Sequence, residues 1–365
     1  MILVVFGTTG ELIKLAPVLI RLQQRGHPFV LATTAQQTTQ IPGFLDQFGL
    51  RQPDLWFAHG RHGRDLATNR DIPGWLTTVT RSFLCERAGI RRTLGAGPGK
   101  ALVLVHGDTM TTVLGAAIGR ALRVPVAHIE GGLRSYDLRH PFPEELNRRI
   151  TTKFASIHYA PGAWAASNIR GRNVVDTGSN TIRDSLDLVP SDDTPSEAIP
   201  AVPFGIVSLH RFELLGSRDL LTKTLAVLRE AAYRTPLVFV DHSVTAAAIE
   251  RYRLNRFFDD QRFTRIPRSR FFDFVRLERR CAFVVTDSGG SQEECFYLDR
   301  PCLVHRRRTE RREGLGETTC MSGLDPEILG DFLRYPSRFH RTTVDASTAP
   351  SDVIVDDLER RGHGR

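Results

Sequence analysis

Short apolar runs alternate with longer amphipathic stretches through the first half of the chain. MILVVFG, PFVLATT, ALVLVHG and VPVAHIE each contain a continuous apolar core. Runs of this kind predict strands that are buried on both faces of a parallel sheet. Amphipathic stretches from about Glu11 to Arg25 and from Thr112 to Leu122 predict the connecting helices. The first half of the chain is therefore predicted to be a βαβ array.

The same pattern starts again after a segment without apolar periodicity. LVPSDDTPSEAIPAVP is rich in proline, serine and acidic residues, which is typical of a linker. After it, FGIVSLH, PLVFVDH, CAFVVTDSGG and RPCLVHR predict four more buried strands. We therefore predict an α/β protein with two Rossmann-like parallel-sheet domains, residues 1–180 and 204–349, joined by a linker region at 181–203. A C-terminal helix around 350–365 is expected to join the first domain, and the RRGHGR end is expected to fray.

Length and composition agree with this division. A chain of 365 residues with 41% hydrophobic residues can bury two cores, because single cores rarely grow beyond about 250–300 residues. No apolar run approaches the roughly 18 uncharged residues of a membrane span, and the N-terminus lacks the basic region and cleavage site of a signal peptide. We therefore expect no membrane association and a cytoplasmic location.

The cysteines and the charge argue against several kinds of site. Five scattered cysteines without C-x-x-C or Cys/His spacing predict neither a disulfide framework nor a zinc site, so no metal is expected. The formal net charge of +8 comes almost wholly from arginine. These arginines are spread along the chain without an RNP motif, a zinc-finger spacing or a basic heptad, so nucleic-acid binding is not predicted. An anionic small-molecule substrate accounts for the charge equally well.

Polar residues follow the predicted strands, where open α/β sheets bind their ligands. In VTDSGGSQEE, a strand is followed by Ser288, Gly289 and Gly290 at a helix start, which suits a phosphate because glycine permits close approach. Glu294, about one turn into that helix, could accept both hydroxyls of a ribose. Taken alone, the string is equally compatible with a glycine-rich turn. GTTGELIKLAPVL is a second such turn without a dinucleotide or P-loop fingerprint, and its Lys14 could reach a phosphate.

Three carboxylates are candidates for proton transfer. Asp108 follows the VLVHG run and is either the N-cap of the next helix or a site acid; taken alone, the cap is favoured. Glu130 follows a buried strand and precedes two glycines, and Glu144 opens a helix together with Glu145. Like charges brought together raise at least one pKa, which lets one carboxyl hold a proton while another acts as a base. His210, after FGIVSL, is a candidate general acid or phosphate partner.

Together these strings resemble the non-hydrolysing UDP-N-acetylglucosamine 2-epimerase family. The resemblance runs from about Met1 to Glu313 and includes GTTGELIKLAPV, VLVHGDTMTT, VAHIEGGLRSYD, FPEELNRR, DTGSNTIRDSL, LHRFE, VTDSGGSQEE and TERRE in order. It implies a GT-B fold, with two Rossmann-like domains facing a central cleft. It also implies a UDP-sugar substrate, no metal or redox cofactor, and a homodimer.

The resemblance further implies elimination of UDP across C1–C2 to give 2-acetamidoglucal, followed by re-addition of UDP. Its catalytic positions fall at Asp108, Glu130, Glu144 and His210. Its UDP contacts fall at Lys14, Phe274, Ser288, Gly289, Gly290, Glu294 and Arg311, and His210 and Lys14 would hold the departing UDP. Bacterial members of the family carry a second UDP-N-acetylglucosamine that activates turnover. The positions resembling that activator site are Gln36, Arg211 and His242.

This chain departs from the family pattern at two places. The first motif usually reads G-T-R-P-E but carries Thr9 and Gly10 here, and Thr39 stands where the activator site has a glutamine. Loss of one charge-assisted contact to a buried phosphate costs on the order of 1.5–3 kcal/mol unless a neighbour such as Arg134 or Arg139 compensates. Three alternatives stay open: a hydrolysing epimerase that releases ManNAc and UDP, a GT-B glycosyltransferase, and a non-catalytic UDP-sugar-binding protein.

Overall fold

The computed structural model describes residues 1–61, 63–66, 68, 70–97, 99–137, 142–171, 173–191, 200–258, 261–341 and 348–363. The chain divides into two compact units. The first unit comprises Met1–Leu188 together with Ala346–Arg365, and the second comprises Val189–Asp345. Each unit is built on a parallel sheet, as the apolar runs predict.

The first unit contains a seven-stranded parallel sheet with strand order β3-β2-β1-β4-β5-β6-β7. Its strands are β1 (Ile2–Phe6), β2 (Phe29–Thr33), β3 (Leu55–Trp56), β4 (Leu102–His106), β5 (Val126–Ile129), β6 (Ile157–Ala160) and β7 (Asn173–Asp176). Its helices are α1 (Thr9–Gln24), α2 (Ile41–Gln47), α3 (Ile72–Ala96), α4 (Met110–Leu122), α5 (Glu144–Phe154), α6 (Ala163–Ser167), α7 (Ile182–Asp187) and, at the end of the chain, α14 (Pro350–Arg360). β1 and β4 are buried along their whole length, which explains their continuous apolar sequence.

The central strands of this sheet bring the predicted site segments together. β4 and β5 are neighbours, and His106 at the end of β4 pairs with Ile129 at the end of β5. The turns that carry Asp108 and Glu130 therefore start side by side at the carboxyl edge of the sheet. The apolar runs predict β1, β2, β4 and β5, and the structure confirms all four. Three outer strands were not predicted, because they are short or, in β7, partly exposed.

The second unit contains a six-stranded parallel sheet with strand order β10-β9-β8-β11-β12-β13. Its strands are β8 (Gly205–Ser208), β9 (Leu237–Asp241), β10 (Phe263–Pro267), β11 (Phe283–Thr286), β12 (Cys302–Val304) and β13 (Thr319–Met321). Its helices are α8 (Phe212–Leu215), α9 (Arg218–Ala232), α10 (Ser243–Tyr252), α11 (Phe271–Arg280), α12 (Gly289–Tyr297) and α13 (Pro326–Arg334). Alternate strand residues face two core clusters, with Val207 and Val285 in one and Ile206 and Val284 in the other.

The C-terminal helix α14 packs on α1 of the first unit. Arg21 Nε lies 2.7 Å from Asp352 Oδ1, and His27 Nε2 lies 2.5 Å from Glu359 Oε1. The expectation that the end of the chain frays is wrong as far as His363, which is buried and lies with Nδ1 3.0 Å from the Lys100 carbonyl oxygen. The predicted linker region 181–203 includes α7. No helix among the described residues is long and apolar enough to cross a membrane.

Candidate active site

Glu130 directly follows β5 and carries its carboxylate into a buried polar pocket. The side chain is 4% exposed, and its Oε2 lies 2.5 Å from Lys14 Nζ. The same oxygen accepts a hydrogen bond from Asn180 Nδ2, and His106 Nε2 lies 3.8 Å from it. The Glu130 backbone is left-handed, with φ of 65°, a conformation that is unfavourable for a residue with a Cβ. Lys14, which was predicted to reach a phosphate, is thus engaged with a carboxylate.

Asp108 follows β4 and is paired with an arginine of α5. Arg148 Nη2 lies 2.5 Å from Asp108 Oδ2, and the Asp108 side chain is 21% exposed. Asn147 Nδ2 donates to the Asp108 main-chain carbonyl at 2.8 Å. The alternative in which Asp108 caps α4 is wrong, because the N-cap is Thr109, whose hydroxyl accepts from Thr112 N. Asp108 is therefore an ion-paired carboxylate that reaches the surface of its unit.

Side chains hold three successive carbonyl groups of the turn between β4 and α4. Thr112 Oγ1 donates to the His106 carbonyl at 2.7 Å. His128 Nε2 donates to the Gly107 carbonyl at 2.7 Å, and Asn147 binds the next carbonyl. Burial lowers the pKa of His128 to about 4, so the ring is neutral and carries its proton on Nε2. The turn that presents the candidate acid is thus fixed from three directions.

Glu144 is the first residue of α5, one helical turn before Arg148. Next to it, Glu145 is fully buried and accepts hydrogen bonds from Ser135 N at 2.9 Å and Arg149 Nε at 3.0 Å. Burial opposes ionisation of Glu145, but these two donors hold its pKa below the usual value. α5 therefore carries one candidate acid and the arginine that binds another. The carboxylates of Asp108 and Glu130 are each ion-paired, and Arg148 Nη1 also lies 3.4 Å from Glu145 Oε2. This differs from the expected repulsion among three carboxylates.

The segment around Thr9 forms a small network of neutral groups. Thr9 N and Thr9 Oγ1 both donate to Gln37 Oε1 at 2.9 Å. Gln36, a predicted activator contact, donates from Nε2 to Thr111 Oγ1 at 2.7 Å. Thr39 lies on the surface and donates to a nearby aspartate. Amide and hydroxyl groups therefore occupy the place where the family motif carries an arginine.

Arg134 and Arg139 were suggested as substitutes for the arginine that is missing at Thr9, and neither is shown to replace it. Arg134 donates to the Leu133 carbonyl at 2.8 Å and to Thr152 Oγ1 at 3.0 Å. Leu133 is the preceding residue and Thr152 lies in α5, and burial lowers the pKa of Arg134. Arg139 lies outside the described residues.

In the second unit, Asp287 at the end of β11 fixes the turn after β8. Asp287 is fully buried, and its Oδ2 accepts from His210 N at 2.8 Å and from Arg211 N at 2.7 Å. Its Oδ1 lies 3.3 Å from His210 Nδ1. Burial raises the pKa of Asp287 to about 6, against the effect of these hydrogen bonds. The His210 ring lies 4.5 Å from the His242 ring, and His242 Nε2 lies 3.0 Å from Ser208 Oγ.

Burial and nearby arginines keep both histidines neutral. Burial, together with Arg211, Arg268 and Arg306, lowers the pKa of His210 to about 4. Burial, His210 and Arg268 lower the pKa of His242 to about 3. The three arginines come from turns after three different strands, and Arg306 is ion-paired with Glu310. A neutral His210 beside them can donate a hydrogen bond to an anion.

The start of α12 carries the residues that the sequence predicts as phosphate contacts. Gly289 and Gly290 are its first residues, and the N-cap Ser288 makes no side-chain cap hydrogen bond. A Cβ at Gly289 would lie 3.1 Å from Arg311 Cγ, so glycine permits this arginine to pack on the turn. Arg311 Nη1 lies 3.0 Å from Glu293 Oε1. Backbone N–H groups and a buried guanidinium thus lie together at one helix N-terminus.

The predicted ribose and uracil contacts lie on α12 and α11 of the second unit. Glu294 is 8% exposed, and Glu278 of α11, which lies next to it, is completely buried. Burial and the neighbouring Glu294 carboxyl raise the pKa of Glu278 well above its usual value, so Glu278 is a neutral acid that can donate to Glu294. Phe274, one turn before Glu278 on α11, packs against the core of the unit.

Several residues that complete these clusters were not predicted from the sequence. They are His106, His128, Asn147, Arg148, Asn180, Arg306 and Glu310. The spacing of Glu144 and Arg148 by one helical turn is a local signal that could have indicated the arginine. Asn180 has no such signal, because it reaches Glu130 only through the tertiary fold. Among the described residues, no group of three or more His, Cys, Asp or Glu side chains is arranged to hold a metal ion.

Both units are parallel α/β sheets with polar and charged residues at the strand ends, which is where proteins of this class bind their ligands. The chain matches the family model described as UDP-N-acetylglucosamine 2-epimerase over residues 99–328. The UDP-N-acetylglucosamine 2-epimerase of Salmonella typhimurium is 32% identical over 334 residues, which cover 86% of this chain and 84% of that protein. The enzyme of the same name from Methanococcus maripaludis is 29% identical over 344 residues, 89% of this chain and 88% of that protein.

A solved structure extends this similarity to the fold of the whole chain. The crystal structure of UDP-GlcNAc 2-epimerase from Neisseria meningitidis bound to UDP-GlcNAc has a TM-score of 0.80 and 25% identity. The structural match covers 98% of this chain and 99% of the chain from Neisseria meningitidis. The chain thus has a GT-B-like architecture of two Rossmann-like units. It belongs to the UDP-N-acetylglucosamine 2-epimerase family and is an enzyme of the epimerase kind.

Proposed function

We propose that this enzyme interconverts UDP-GlcNAc and UDP-ManNAc without net hydrolysis. UDP is eliminated to leave 2-acetamidoglucal, and UDP then adds again at C1 while a proton returns to the opposite face of C2. The observation that carries the proposal is the pair of carboxylates Asp108 and Glu130, each held by a buried cation at neighbouring strand ends. Fixed carboxylates of this kind suit removal of a proton from carbon and its return.

Proton transfer at C2 is assigned to the first unit. In the elimination, a carboxylate takes the C2 proton, the C–H electrons form the C1–C2 double bond, and the C1–O electrons leave with UDP. In the re-addition, a diphosphate oxygen attacks C1 and a carboxylic acid returns a proton to C2. Asp108, Glu130 and Glu144 share these transfers, and Lys14 and Arg148 hold two of the carboxylates in fixed orientations.

Binding of UDP is assigned to the second unit. The proposed diphosphate contacts are Ser288, Gly289, Gly290 and Arg311 at the start of α12. Glu294 binds the ribose and Phe274 lines the uracil site in this proposal. Fixed dipoles and guanidinium groups stabilise the departing diphosphate without reorganisation during the reaction. His210 is neutral, so it contributes a hydrogen bond to UDP rather than a charge.

A second UDP-GlcNAc bound at Gln36, Arg211 and His242 stays a prediction, and so does the homodimer. The side chain of Gln36 is already bonded to Thr111, so an activator would compete for that amide. If the site operates, Gln36→Ala abolishes the acceleration of UDP-ManNAc conversion by added UDP-GlcNAc and leaves UDP binding unchanged. Initial rates measured with and without UDP-GlcNAc test this expectation.

A proton NMR time course with UDP-GlcNAc tests the proposed reaction. We expect anomeric signals of UDP-ManNAc to grow to a constant ratio with UDP-GlcNAc while UDP stays at a trace level. Asp108→Asn is the matched control, because it keeps the size of the side chain and removes the base. Release of ManNAc and UDP in equal amounts would assign the enzyme to the hydrolysing branch, and transfer of the sugar to an added acceptor would indicate a glycosyltransferase.

A further inference from the structure

Glu11 is a buried carboxylate that no predicted role includes. Glu11 lies in the first turn of α1, and the whole residue is 3% exposed. Oε2 accepts from Gly7 N at 2.9 Å, from Thr8 N at 2.9 Å and from Thr8 Oγ1 at 3.0 Å. An ordinary capping box uses one such backbone contact. Here one carboxylate oxygen gathers three donors from the turn between β1 and α1.

The second oxygen of Glu11 binds a different element. Oε1 accepts from Thr109 Oγ1 at 2.8 Å and lies 3.3 Å from Thr112 Oγ1. Thr109 is the N-cap of α4 and Thr112 is the third residue of that helix. A single buried carboxylate therefore joins the N-termini of two helices. Burial raises the pKa of Glu11 to about 7, against the effect of these hydrogen bonds, so loss of its donors would favour the protonated form.

Each of the two helices that Glu11 joins is linked to one of the ion-paired carboxylates. On α4, Thr109 is the residue after Asp108, so its position sets where Asp108 leaves the turn. On α1, Lys14 lies about one turn after Glu11 and holds Glu130. The hydrogen-bond donors to Glu11 come from the turn before α1 and from the start of α4. Displacement of either helix start would move one carboxylate relative to the other.

We propose that Glu11 is a positioning residue that fixes Asp108 and the Lys14–Glu130 pair relative to each other by joining the starts of α1 and α4. This inference rests on the proposed proton-transfer roles of Asp108 and Glu130. Glu11 does not touch the substrate in this account. It acts through Thr109 on one side and through α1 on the other.

The test compares Glu11→Ala and Glu11→Gln with Asp325→Ala. Glutamine can still accept from the Gly7 and Thr8 N–H groups and can donate to the Thr109 hydroxyl, whereas alanine does neither. Asp325 is the exposed N-cap of α13 in the second unit and accepts from Glu327 N at 2.8 Å, so its removal controls for loss of a helix cap.

We expect Glu11→Ala to lower kcat roughly 10²-fold, as small misplacements of reacting groups do, with KM and the Kd for UDP within about twofold of the parent enzyme. Glu11→Gln should recover most of the lost kcat, and Asp325→Ala should change Tm alone. Equal kcat in Glu11→Ala and Asp325→Ala, at equal loss of Tm, would overturn the inference. A parallel rise of KM and Kd for UDP would overturn it as well.

A crystal structure of Glu11→Gln and of Glu11→Ala separates this inference from the proposed reaction. The inference predicts that the Arg148–Asp108 contact is kept in the glutamine variant and lost or lengthened in the alanine variant. If the parent enzyme does not epimerise UDP-GlcNAc, the proposed function fails, yet this geometric result still decides the role of Glu11. An unchanged Arg148–Asp108 contact in the alanine variant contradicts it.

Discussion

At the scale of single residues, the site depends on ion pairs in which Lys14 contacts Glu130 and Arg148 contacts both Asp108 and Glu145. The Lys14 and Glu130 side chains are 10% and 4% exposed, and the Arg148 side chain, which contacts Asp108, is 3% exposed. Removing one partner of such a pair leaves the other charge desolvated and uncompensated, which is more costly than losing both. The sequence predicts the carboxylates, because each follows an apolar run. It does not predict their partners, because Lys14 and Glu130 are brought together only by folding.

Lys14→Met tests the pairing at Glu130. We expect this variant to lose about 3–5 kcal/mol of unfolding free energy, because Glu130 is left as a buried unpaired charge. The double variant Lys14→Met with Glu130→Gln should recover most of that loss and still lack turnover. Urea unfolding and NMR rate measurements on the two variants provide the check. Full stability in the single variant would contradict the pairing.

Titration of His128 makes the unfolding free energy depend on pH. Its pKa is about 4 in the folded protein, below the ordinary value of about 6.5, so the folded state binds fewer protons than the unfolded state between these values. The stabilisation that comes with neutral His128 is complete above about pH 6.5, and it is lost as the pH falls towards 4.

The variant His128→Gln removes this titration while keeping a donor for the Gly107 carbonyl. Between pH 6.5 and 4.5 we expect its unfolding free energy to fall by about 2 kcal/mol less than that of the parent enzyme. Chemical unfolding at several pH values measures the difference. Identical pH profiles for the two proteins would show that His128 is not neutral in the folded state.

At the scale of elements, function is concentrated in turns that follow the parallel strands. The sequence predicts these positions well, because β1, β4, β5, β8, β9, β11 and β12 are apolar runs that end in polar or glycine residues. It predicts the outer strands poorly: β7 reads NVVD with exposed ends, so its pattern does not differ from that of a loop. Packing against β6 makes it a strand, and that contact is nonlocal.

Gly7 and Gly10 provide a matched pair for the turn after β1. A Cβ at Gly7 would lie 2.1 Å from Thr111 Oγ1 and 2.4 Å from Thr34 Oγ1, whereas a Cβ at Gly10 would meet no heavy atom within 4 Å. We expect Gly7→Ala to lower the unfolding free energy by about 1–3 kcal/mol through overpacking. Gly10→Ala should raise it by up to about 1 kcal/mol, because alanine favours the helix. Thermal unfolding of both variants measures the contrast, and a similar Tm for the two would contradict the close packing of this turn.

At the scale of the whole molecule, the chain forms two parallel α/β units, and the first is completed by the end of the chain. The apolar runs form one set before the predicted linker and one set after it, and these two sets predict the two sheets. The contacts of α14 are not visible in the sequence, because Tyr159 and Asp357 lie 198 residues apart and still form a hydrogen bond of 3.0 Å. Asp184 likewise accepts from Ser351 N at 2.8 Å.

Removal of residues 342–365 should therefore weaken the first unit selectively. We expect faster hydrogen exchange in peptides that cover α1 and β6, because both lose buried contacts with α14. Peptides that cover β8 and β11 should keep the protection seen in the full chain, and they serve as the internal control. Uniform loss of protection in both units would contradict the independence of the second unit's core.

The central claim is that carboxylates of the first unit exchange the proton at C2 of a UDP-N-acetylhexosamine. Incubation with UDP-GlcNAc in deuterium oxide, followed by mass spectrometry and NMR of the recovered sugar nucleotides, measures this event directly. The account predicts one deuterium at C2 in UDP-ManNAc and in returned UDP-GlcNAc, with no incorporation by the Asp108→Asn or Glu130→Gln variants. Turnover of UDP-GlcNAc without deuterium at C2 would contradict it.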